Sequence, residues 1–330
     1  MKVTTLGAGA WGIALSNTLA LKGNQVVVYD KNPVYEKINT EHKNPLHFPD
    51  VELSANLSFT PDLKTALEGS KVIIFSVPSK FYRDVAREVA KLLTDKVYIV
   101  STAKGFDPST FERLSEVLRK EISPDKRSEI VSLLGPSYAE EVIHKHLTCI
   151  TATSLSLDAA SFIQELFSGP YFRVYTNLDE VGAEVSAALK NVIAIASGIL
   201  LGLGEEENAK AALITRGIAE IMRFGLAFGA KPETFLGLTG IGDLSLTCNS
   251  RKSRNFSFGY EVGKADSAEQ ALLDNKTTIE GIYTSKFVHE LAVEKHIDMP
   301  ITKAVYEVLF EGHKPTEAVV SLMGRTLKSE

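Results

Sequence analysis

A lysine inside an apolar segment is the first residue of this sequence whose setting indicates chemistry. Lys190 lies within residues 181–203, where alanine, valine, leucine and isoleucine predominate. Lysine is rarely buried without a reason, and burial lowers its pKa toward the range in which a side chain exchanges protons effectively. No residue on its own helical face can neutralise it, and Glu184 lies nearly opposite. Lys190 is therefore either a general acid/base or a lysine that reaches the surface or a distant acid.

Asp243 is an acid in a setting of glycines and apolar residues, the segment GIGDL at residues 240–244. An aspartate in such a segment usually caps a helix. The alternative is that it orients Lys190 or forms an ion pair with it. The spacing along the chain does not distinguish these two interpretations.

A second set of residues suits an anionic substrate. Arg254, in the cluster Ser253-Arg254-Asn255, can bind a phosphate through two parallel hydrogen bonds, although a solvated loop is the usual interpretation of such a cluster. Lys104 follows a predicted strand, at the edge where open α/β sheets bind their ligands. Ser137 follows another strand and precedes a helix, so it could instead be only an N-cap.

The segment GAGAWG at residues 7–12 follows a predicted strand and opens a helix. Gly7 would permit a tight turn, Gly9 would let the pyrophosphate of a dinucleotide approach the backbone, and Gly12 would let helix and strand pack closely. The helix N-terminus then offers unpaired N–H groups to the phosphates. The pattern predicts an NAD(P) site, with a glycine-rich turn that binds no ligand as the alternative.

The preference between NAD and NADP stays open. Asp30 ends the next strand, where its carboxylate could accept a hydrogen bond from the ribose 2′-hydroxyl and repel a 2′-phosphate, which favours NAD. Lys31 could pair with a 2′-phosphate, which favours NADP.

The elements that would position these residues alternate in the first half of the chain. Strands are predicted at residues 3–6, 25–29, 72–75, 97–100, 130–134, 148–152 and 172–175. Helical patterns lie between them, for example at residues 10–21, 78–93 and 111–121. Several strands are apolar on both faces, and this alternation predicts a parallel, doubly wound sheet of Rossmann type.

The alternation ends near Asn177, and only helical patterns follow. They occupy residues 181–203, 207–228, 267–273, 283–294 and 301–309. We therefore expect an α/β N-terminal Rossmann-type domain and an all-α C-terminal domain. The chain length of 330 residues also suggests two domains. The predicted NAD(P)-binding domain covers residues 1–180, and the predicted substrate and catalytic domain covers residues 181–330.

Composition excludes several other classes of protein. The balance of 36 basic and 41 acidic residues gives a net charge of -5, which argues against a nucleic-acid-binding surface. The two cysteines cannot form a disulfide framework, so a reducing cytoplasm is the simplest compartment. Glycines interrupt the N-terminal apolar run too early for a signal peptide, and charges within residues 181–203 indicate a buried helix rather than a membrane span. No residues have the spacing of metal ligands, so no metal is predicted.

An ordered series of motifs resembles the bacterial-type NAD(P)-dependent glycerol-3-phosphate dehydrogenases over essentially the whole chain. The first half carries GAGAWG at residues 7–12, SVPS at 76–79, STAKG at 101–105 and GPSYAEEV at 135–142. The second half carries ALKNV at residues 188–192, GIGDLSLTC at 240–248, SRN at 253–255 and IEG at 279–281. The resemblance implies interconversion of sn-glycerol 3-phosphate and dihydroxyacetone phosphate with NAD or NADP. It also implies a homodimer that supplies glycerol 3-phosphate for glycerophospholipid synthesis.

The same resemblance implies roles for individual residues. Lys190 would be the general acid/base that protonates the carbonyl oxygen of dihydroxyacetone phosphate, with Asp243 beside it as a second catalytic residue. Substrate contacts are implied for Lys104, Gly135, Ser137, Lys190, Asp243, Ser253, Arg254 and Asn255, with Asn191 and Thr247 as further polar groups. Cofactor contacts are implied for Gly7, Gly9, Ala10, Trp11, Gly12, Lys31, Lys104, Ala139, Arg254, Thr278 and Glu280.

Two other functions compete with this one. A hydroxy-acid dehydrogenase with a helical second domain would also use a lysine on a helix, but Arg254 and the GIGDLSLTC segment favour a phosphorylated triose. A non-catalytic NAD(P) redox sensor would bind the cofactor without turnover. Such a sensor needs no proton donor, so a buried Lys190 argues against it.

Overall fold

The computed structural model describes residues 1–32, 35–275, 278–327 and 329. The chain divides into two compact units, Met1–Glu180 and Val181–Glu330. Every strand of the described chain lies in the first unit, and the second unit consists of helices and the loops that join them. The predicted fold class, an α/β first half followed by an all-α second half, is confirmed.

The first unit is built on strands that alternate with helices. Its strands are β1 Lys2–Leu6, β2 Gln25–Tyr29, β3 Lys43–Asn44, β4 Phe48–Glu52, β5 Leu57–Thr60, β6 Val72–Phe75, β7 Val97–Ser101, β8 Arg127–Leu134, β9 Thr148–Thr153 and β10 Phe172–Asn177. Its helices are α1 Ala10–Leu21, α2 Tyr35–Glu41, α3 Leu63–Leu67, α4 Tyr82–Leu92, α5 Leu114–Glu121, α6 Ala139–Ile143 and α7 Leu157–Phe167.

The main sheet has the strand order β10-β9-β8-β7-β6-β1-β2-β5, and β3 and β4 form a separate antiparallel hairpin. Neighbouring strands of the main sheet are parallel except β8 and β9, which pair antiparallel with Leu134 opposite Thr151. The predicted parallel, doubly wound sheet is thus present, with this one antiparallel pair as the exception. A strand the length of β8 spans about 26 Å, whereas the five-residue helix α6 between the two strands spans about 7.5 Å. That helix is too short to return the chain to the start of the sheet, so β9 turns back instead.

The middle of the sheet is buried on both faces. In β6 the side chains of Val72 and Ile74 join the cluster around α1, whereas Ile73 and Phe75 join the cluster around α4. All four side chains are inaccessible to solvent. Alternate residues of a strand point to opposite faces, so a continuous apolar run is what a strand with helices on both faces requires.

The second unit is a set of helices that begins with one long apolar helix. The helices are α8 Glu180–Gly202, α9 Glu207–Ala227, α10 Pro232–Phe235, α11 Asp243–Cys248, α12 Arg254–Ala265, α13 Glu269–Asp274, α14 Glu280–Glu294, α15 Pro300–Phe310 and α16 Pro315–Met323. By length and composition α8 could cross a membrane, yet 83% of its most apolar window is buried inside the structure. Burial to this extent is typical of a core helix, which is what the charged residues within α8 predict.

Four glycines let α8 and α12 pack with their backbones in contact. A Cβ atom at Gly198 would lie 2.0 Å from an α12 carbonyl oxygen, and a Cβ atom at Gly259 would lie 2.1 Å from the carbonyl oxygen of Ile195. Gly202 and Gly263 repeat the arrangement four residues further along each helix. No larger residue fits at these distances, so the contact fixes the separation of two helices that both carry candidate site residues.

Candidate active site

The glycine-rich turn between β1 and α1 has the geometry that its sequence predicts. Gly7 has φ +101°, and a Cβ atom there would lie 2.7 Å from the carbonyl oxygen of Ser76. A Cβ atom at Gly12 would lie 2.4 Å from the carbonyl oxygen of Gly7, whereas one at Gly9 would have no atom within 4 Å. The turn is thus tight at Gly7, closely packed at Gly12 and open at Gly9, which is what a pyrophosphate needs on its approach.

Helix α1 begins at Ala10 directly behind this turn. Its N-cap is Gly9, which has no side chain to cap the helix, so the first-turn N–H groups point toward the open side of the turn. Such a helix end attracts anions through these N–H groups and through the helix dipole. Trp11, in the first turn, is half-buried and packs against the core of the first unit.

Asp30 and Lys31, at the carboxyl end of β2, are placed differently from each other. The two carboxylate oxygens of Asp30 accept hydrogen bonds from backbone N–H groups, Oδ2 from Ala8 at 2.8 Å and Oδ1 from Asn32 at 2.9 Å. Lys31 is exposed, and no acid of the described ranges lies within ion-pair distance of its ammonium group. Sequence reasoning did not foresee that Asp30 would bind the glycine-rich turn itself.

Lys104, Gly135 and Ser137 come together at the carboxyl ends of β7 and β8. The Nζ atom of Lys104 donates to the carbonyl oxygen of Gly135 at 2.8 Å, and Ser137 Oγ donates to the same oxygen at 3.3 Å. Gly135 has φ +141°, a conformation that favours glycine. The N-cap of α6 is Tyr138, so the interpretation of Ser137 as an N-cap is wrong, and Ala139 is the first residue of that helix.

Arg83 holds the loop that follows Lys104, a function that the sequence did not reveal. Its guanidinium binds Asp107 and Glu112 of the loop and Glu121 of α5, at 3.2, 2.9 and 2.6 Å. Burial lowers the pKa of Arg83, but Glu121 and Asp107 together outweigh this effect, so the pKa is raised above its usual value. The sequence shows Arg83 and its acidic partners only as separate charged residues, and no helix or strand periodicity relates residues so far apart in the chain.

In the second unit, Lys190 is buried against a carboxylate and a hydroxyl group. The Nζ atom of Lys190 donates to Asp243 Oδ1 at 2.8 Å and to Thr247 Oγ1 at 2.7 Å. Thr247 in turn donates from Oγ1 to the carbonyl oxygen of Asp243 at 2.6 Å. The exposed fractions of Lys190, Asp243 and Thr247 are 5%, 0% and 5%. Lys190 therefore does not reach the surface but pairs with a distant acid, Asp243, as one of the alternatives had it. Its role as a general acid/base stays a prediction.

A kinked segment before α11 positions Asp243 beside Lys190. Gly240 lies within this segment, and a Cβ atom there would lie 2.1 Å from the carbonyl oxygen of Phe235, so only glycine fits. The N-cap of α11 is Gly242, and Asp243 is the first residue of the helix. The interpretation of Asp243 as an N-cap is therefore wrong, because its carboxylate binds Lys190 across the unit.

A buried thiol lies at the end of the same helix. Burial raises the pKa of Cys248 to about 12; the charge of Lys190 acts in the opposite direction, and the charge of Asp243 adds to the rise. The thiol therefore stays protonated at neutral pH. It is not a nucleophile, because the thiolate is the reactive form of cysteine.

The Ser253-Arg254-Asn255 cluster forms the start of α12 rather than a solvated loop. Ser253 is the N-cap and accepts a hydrogen bond from the backbone of Phe256, and Arg254 is the exposed first residue of the helix. Asn255 is buried, donates to Asn191 Oδ1 at 3.0 Å and accepts from the Gly281 N–H group at 2.9 Å. Asn255 thus joins α12 to α8 and to the start of α14.

The remaining predicted cofactor residues lie near that junction. Glu280 is the first residue of α14, and Thr278, two residues earlier, is half-buried. Among the described residues, no group of three or more histidine, cysteine or acidic side chains could hold a metal ion.

Known proteins that resemble this chain identify its family. Residues 2–160 match the model of the NAD-dependent glycerol-3-phosphate dehydrogenase N-terminus, and residues 179–320 match that of the C-terminus. A glycerol-3-phosphate dehydrogenase [NAD(P)+] of Limosilactobacillus reuteri is 45% identical over 333 residues, covering 100% of this chain and 98% of that protein. The protein of the same name from Staphylococcus aureus strain NCTC 8325 is 46% identical over 330 residues, covering 100% and 99%.

A solved structure agrees with these relatives. The crystal structure of a glycerol-3-phosphate dehydrogenase from Coxiella burnetii superimposes with a TM-score of 0.91 at 36% sequence identity. The superposition covers 98% of this chain and 99% of that one.

Proposed function

The chain belongs to the NAD-dependent glycerol-3-phosphate dehydrogenase family, and from this premise we propose which of its residues carry out the reaction. The protein is an NAD(P)-dependent oxidoreductase that interconverts glycerol 3-phosphate and dihydroxyacetone phosphate. The full-length relatives favour this activity over a hydroxy-acid dehydrogenase and over a redox sensor. The contacts around Lys190 are the observation on which the proposed mechanism rests.

Lys190 is the general acid in the reduction of dihydroxyacetone phosphate. When the carbonyl carbon gains a hydride, the carbonyl oxygen gains negative charge and takes a proton from Nζ of Lys190. An ammonium group carries three protons and an amine two, so Lys190 keeps its bonds to Asp243 and Thr247 after the transfer. In the oxidation of glycerol 3-phosphate the same nitrogen takes the hydroxyl proton back.

Asp243 and Thr247 orient the ammonium group for this step. The hydroxyl group of Thr247 donates its hydrogen bond to the carbonyl oxygen of Asp243, so its Oγ1 atom accepts from Lys190 rather than competing as a donor. The carboxylate of Asp243 forms a charge-assisted hydrogen bond with the ammonium group at 2.8 Å in a buried setting. Because both partners lie on one short helix, they hold Nζ in a fixed direction.

The phosphate of the substrate binds to Arg254. Its guanidinium is exposed at the first turn of α12, and no acid of the described residues lies within ion-pair distance of it. The helix dipole adds positive potential at the same end. Ser253 and Asn255 keep that end in place, because one caps the helix and the other bonds it to α8 and α14. We also assign substrate contacts to Lys104, Gly135 and Ser137.

The glycine-rich turn and the start of α1 bind the pyrophosphate of NAD or NADP. The open side of Gly9 and the uncapped N–H groups of α1 fit that group. The bound nicotinamide supplies or accepts the hydride. We assign cofactor contacts to Gly7, Gly9, Ala10, Trp11, Gly12, Lys31, Lys104, Ala139, Arg254, Thr278 and Glu280. We further propose two functional domains with the boundary at residues 180 and 181, a cytoplasmic homodimer and a role in glycerophospholipid synthesis.

The test is turnover of NADH and NADPH with dihydroxyacetone phosphate by the wild-type protein and by Lys190→Met. We expect kcat to fall by about 100-fold or more in the variant, with both cofactors still bound. Lys303→Met removes an exposed lysine of the same unit and should leave kcat unchanged. A folded, cofactor-binding Lys190→Met protein with a kcat near that of the wild type would contradict the role of Lys190.

A further inference from the structure

Asp30 lies where dinucleotide-binding folds place an acid that binds the ribose hydroxyls, yet its carboxylate points into the glycine-rich turn. We infer that Asp30 is a positioning residue that braces this turn for NAD and NADP alike, and that it does not select between them. The inference rests on the proposed function, because it concerns how the same cofactor site is built.

The contacts join the turn to the end of β2 at consecutive positions. The Gly7 N–H group donates to the carbonyl oxygen of Tyr29 at 2.9 Å as a continuation of the strand pairing. The next N–H group, that of Ala8, donates to Asp30 Oδ2 at 2.8 Å, beyond the last paired residue. The carboxylate thus extends the bonding of β1 to β2 by one residue. It holds the turn at a position that lies beyond the backbone pairing of the two strands.

A second bond fixes the carboxylate itself. Asp30 Oδ1 accepts from the Asn32 N–H group at 2.9 Å, so the side chain is held at both oxygens. These two N–H groups fix the direction of the carboxylate and therefore of its negative charge. An acid that discriminates against NADP must instead direct that charge at the 2′ position of the ribose.

The neighbouring lysine completes the argument. Lys31 is exposed and has no ion-pair partner among the described residues, so its charge is available to a 2′-phosphate. With the carboxylate turned inward and the lysine turned outward, the 2′ position meets no dominant negative charge. Asp30 should therefore strengthen the binding of both cofactors in the same way, by keeping the N–H groups of the turn in position.

The experiment uses the full-length protein and the fluorescence of Trp11, the only tryptophan of the chain, which lies in the first turn of α1. Dissociation constants for NADH and NADPH are measured for wild type, Asp30→Ala and Asp30→Asn, together with acrylamide quenching of cofactor-free protein. We expect Asp30→Ala to bind both cofactors about tenfold more weakly, with an unchanged ratio, because it loses a charge-assisted hydrogen bond to the turn. Its Trp11 should also be quenched more readily, with Asp30→Asn between the two.

Asp62→Ala is the matched control. Asp62 also accepts two backbone N–H groups, those of Lys64 and Thr65, but it caps α3 instead of the glycine-rich turn. It should leave both dissociation constants and Trp11 quenching unchanged, so an equal loss in this variant would overturn the inference.

Loss of NADH affinity alone in Asp30→Ala, with unaltered Trp11 quenching, would also overturn the inference, since Asp30 would then be a ribose-binding acid. If wild-type protein bound neither cofactor, the proposed function would fail instead. Quenching of the cofactor-free variants would still test the brace in that case.

Discussion

Thr247→Val is the substitution that tests most directly how Lys190 is oriented. Valine has nearly the shape of threonine, so no cavity opens in α11, but the hydroxyl group is lost. With it go the 2.7 Å bond from Lys190 Nζ and the 2.6 Å bond to the carbonyl oxygen of Asp243. The bond from Nζ to Asp243 Oδ1 remains, so the lysine keeps its charge partner and loses one of the two contacts that set its direction.

The size of the effect follows from the type of bond. A hydrogen bond to a charged group contributes about 1.5–3 kcal/mol, and one left unmade in a buried site costs a similar amount. If loss of this orienting bond raises the activation free energy by about 2 kcal/mol, kcat falls about 30-fold, because each 1.36 kcal/mol corresponds to a factor of ten. The KM for dihydroxyacetone phosphate should change by less than about threefold, because in the proposed mechanism the phosphate binds to Arg254 and not to Thr247.

The assay is steady-state oxidation of NADH or NADPH at several concentrations of dihydroxyacetone phosphate, with urea denaturation as a check of folding. Thr247→Ser restores the hydroxyl group and loses only a methyl group, so it should recover kcat to within about threefold of wild type. A folded Thr247→Val protein with wild-type kcat would refute the reasoning, and so would a Thr247→Ser variant as slow as the valine variant.

Three other contacts lead to separate measurements. The hydrogen bond that the protonated His144 donates to Asp50 raises the pKa of His144. The pair therefore adds stability below about pH 6.5 and loses it as pH rises through the folded-state pKa, and an NMR titration should show a lower His144 pKa in Asp50→Asn. Glu180→Gln should lower the free energy of unfolding by about 3 kcal/mol in urea, since its buried carboxylate binds two arginines. Gly259→Ala should cost about 2 kcal/mol or more by the same measurement, whereas Gly169→Ala, with nothing within 4 Å of its Cβ, should be nearly neutral; equal stability of these two variants would contradict the packing argument.

The outline of both units could be predicted from local patterns. Strands such as β6 are apolar throughout because they are covered on both faces, and α8 is apolar because it lies in a core. The strands β3, β4 and β5 were not predicted because they are short or carry polar residues. The antiparallel pairing of β9 was also missed, because pairing direction depends on how far the connecting segment can carry the chain.

The candidate site could be predicted in part for the same kind of reason. Lys190 could be identified because a charged residue among apolar neighbours is recognisable from one helical segment alone. Its partner Asp243 lies 53 residues away, so the sequence left an N-cap, the usual role of such a residue, and an ion pair as alternatives. The kink before α11 decided between them, and that kink depends on the close approach of Gly240 to the backbone of Phe235.

Residue type and position do not fix where a side chain directs its hydrogen bonds, and Asp30 and Asn255 illustrate the consequence. Both were expected at a ligand, and both have side-chain atoms bonded within their own unit. A carboxylate can accept about four hydrogen bonds, and Asp30 already accepts from two backbone N–H groups, so it retains capacity for a ribose hydroxyl. The role of Asp30 as a brace rather than a selector therefore concerns the free energy of cofactor binding and not the number of hydrogen bonds that its carboxylate can accept. The NADH and NADPH affinities of Asp30→Ala test that role, because loss of a brace weakens both affinities and leaves their ratio unchanged, whereas loss of a selector changes only one.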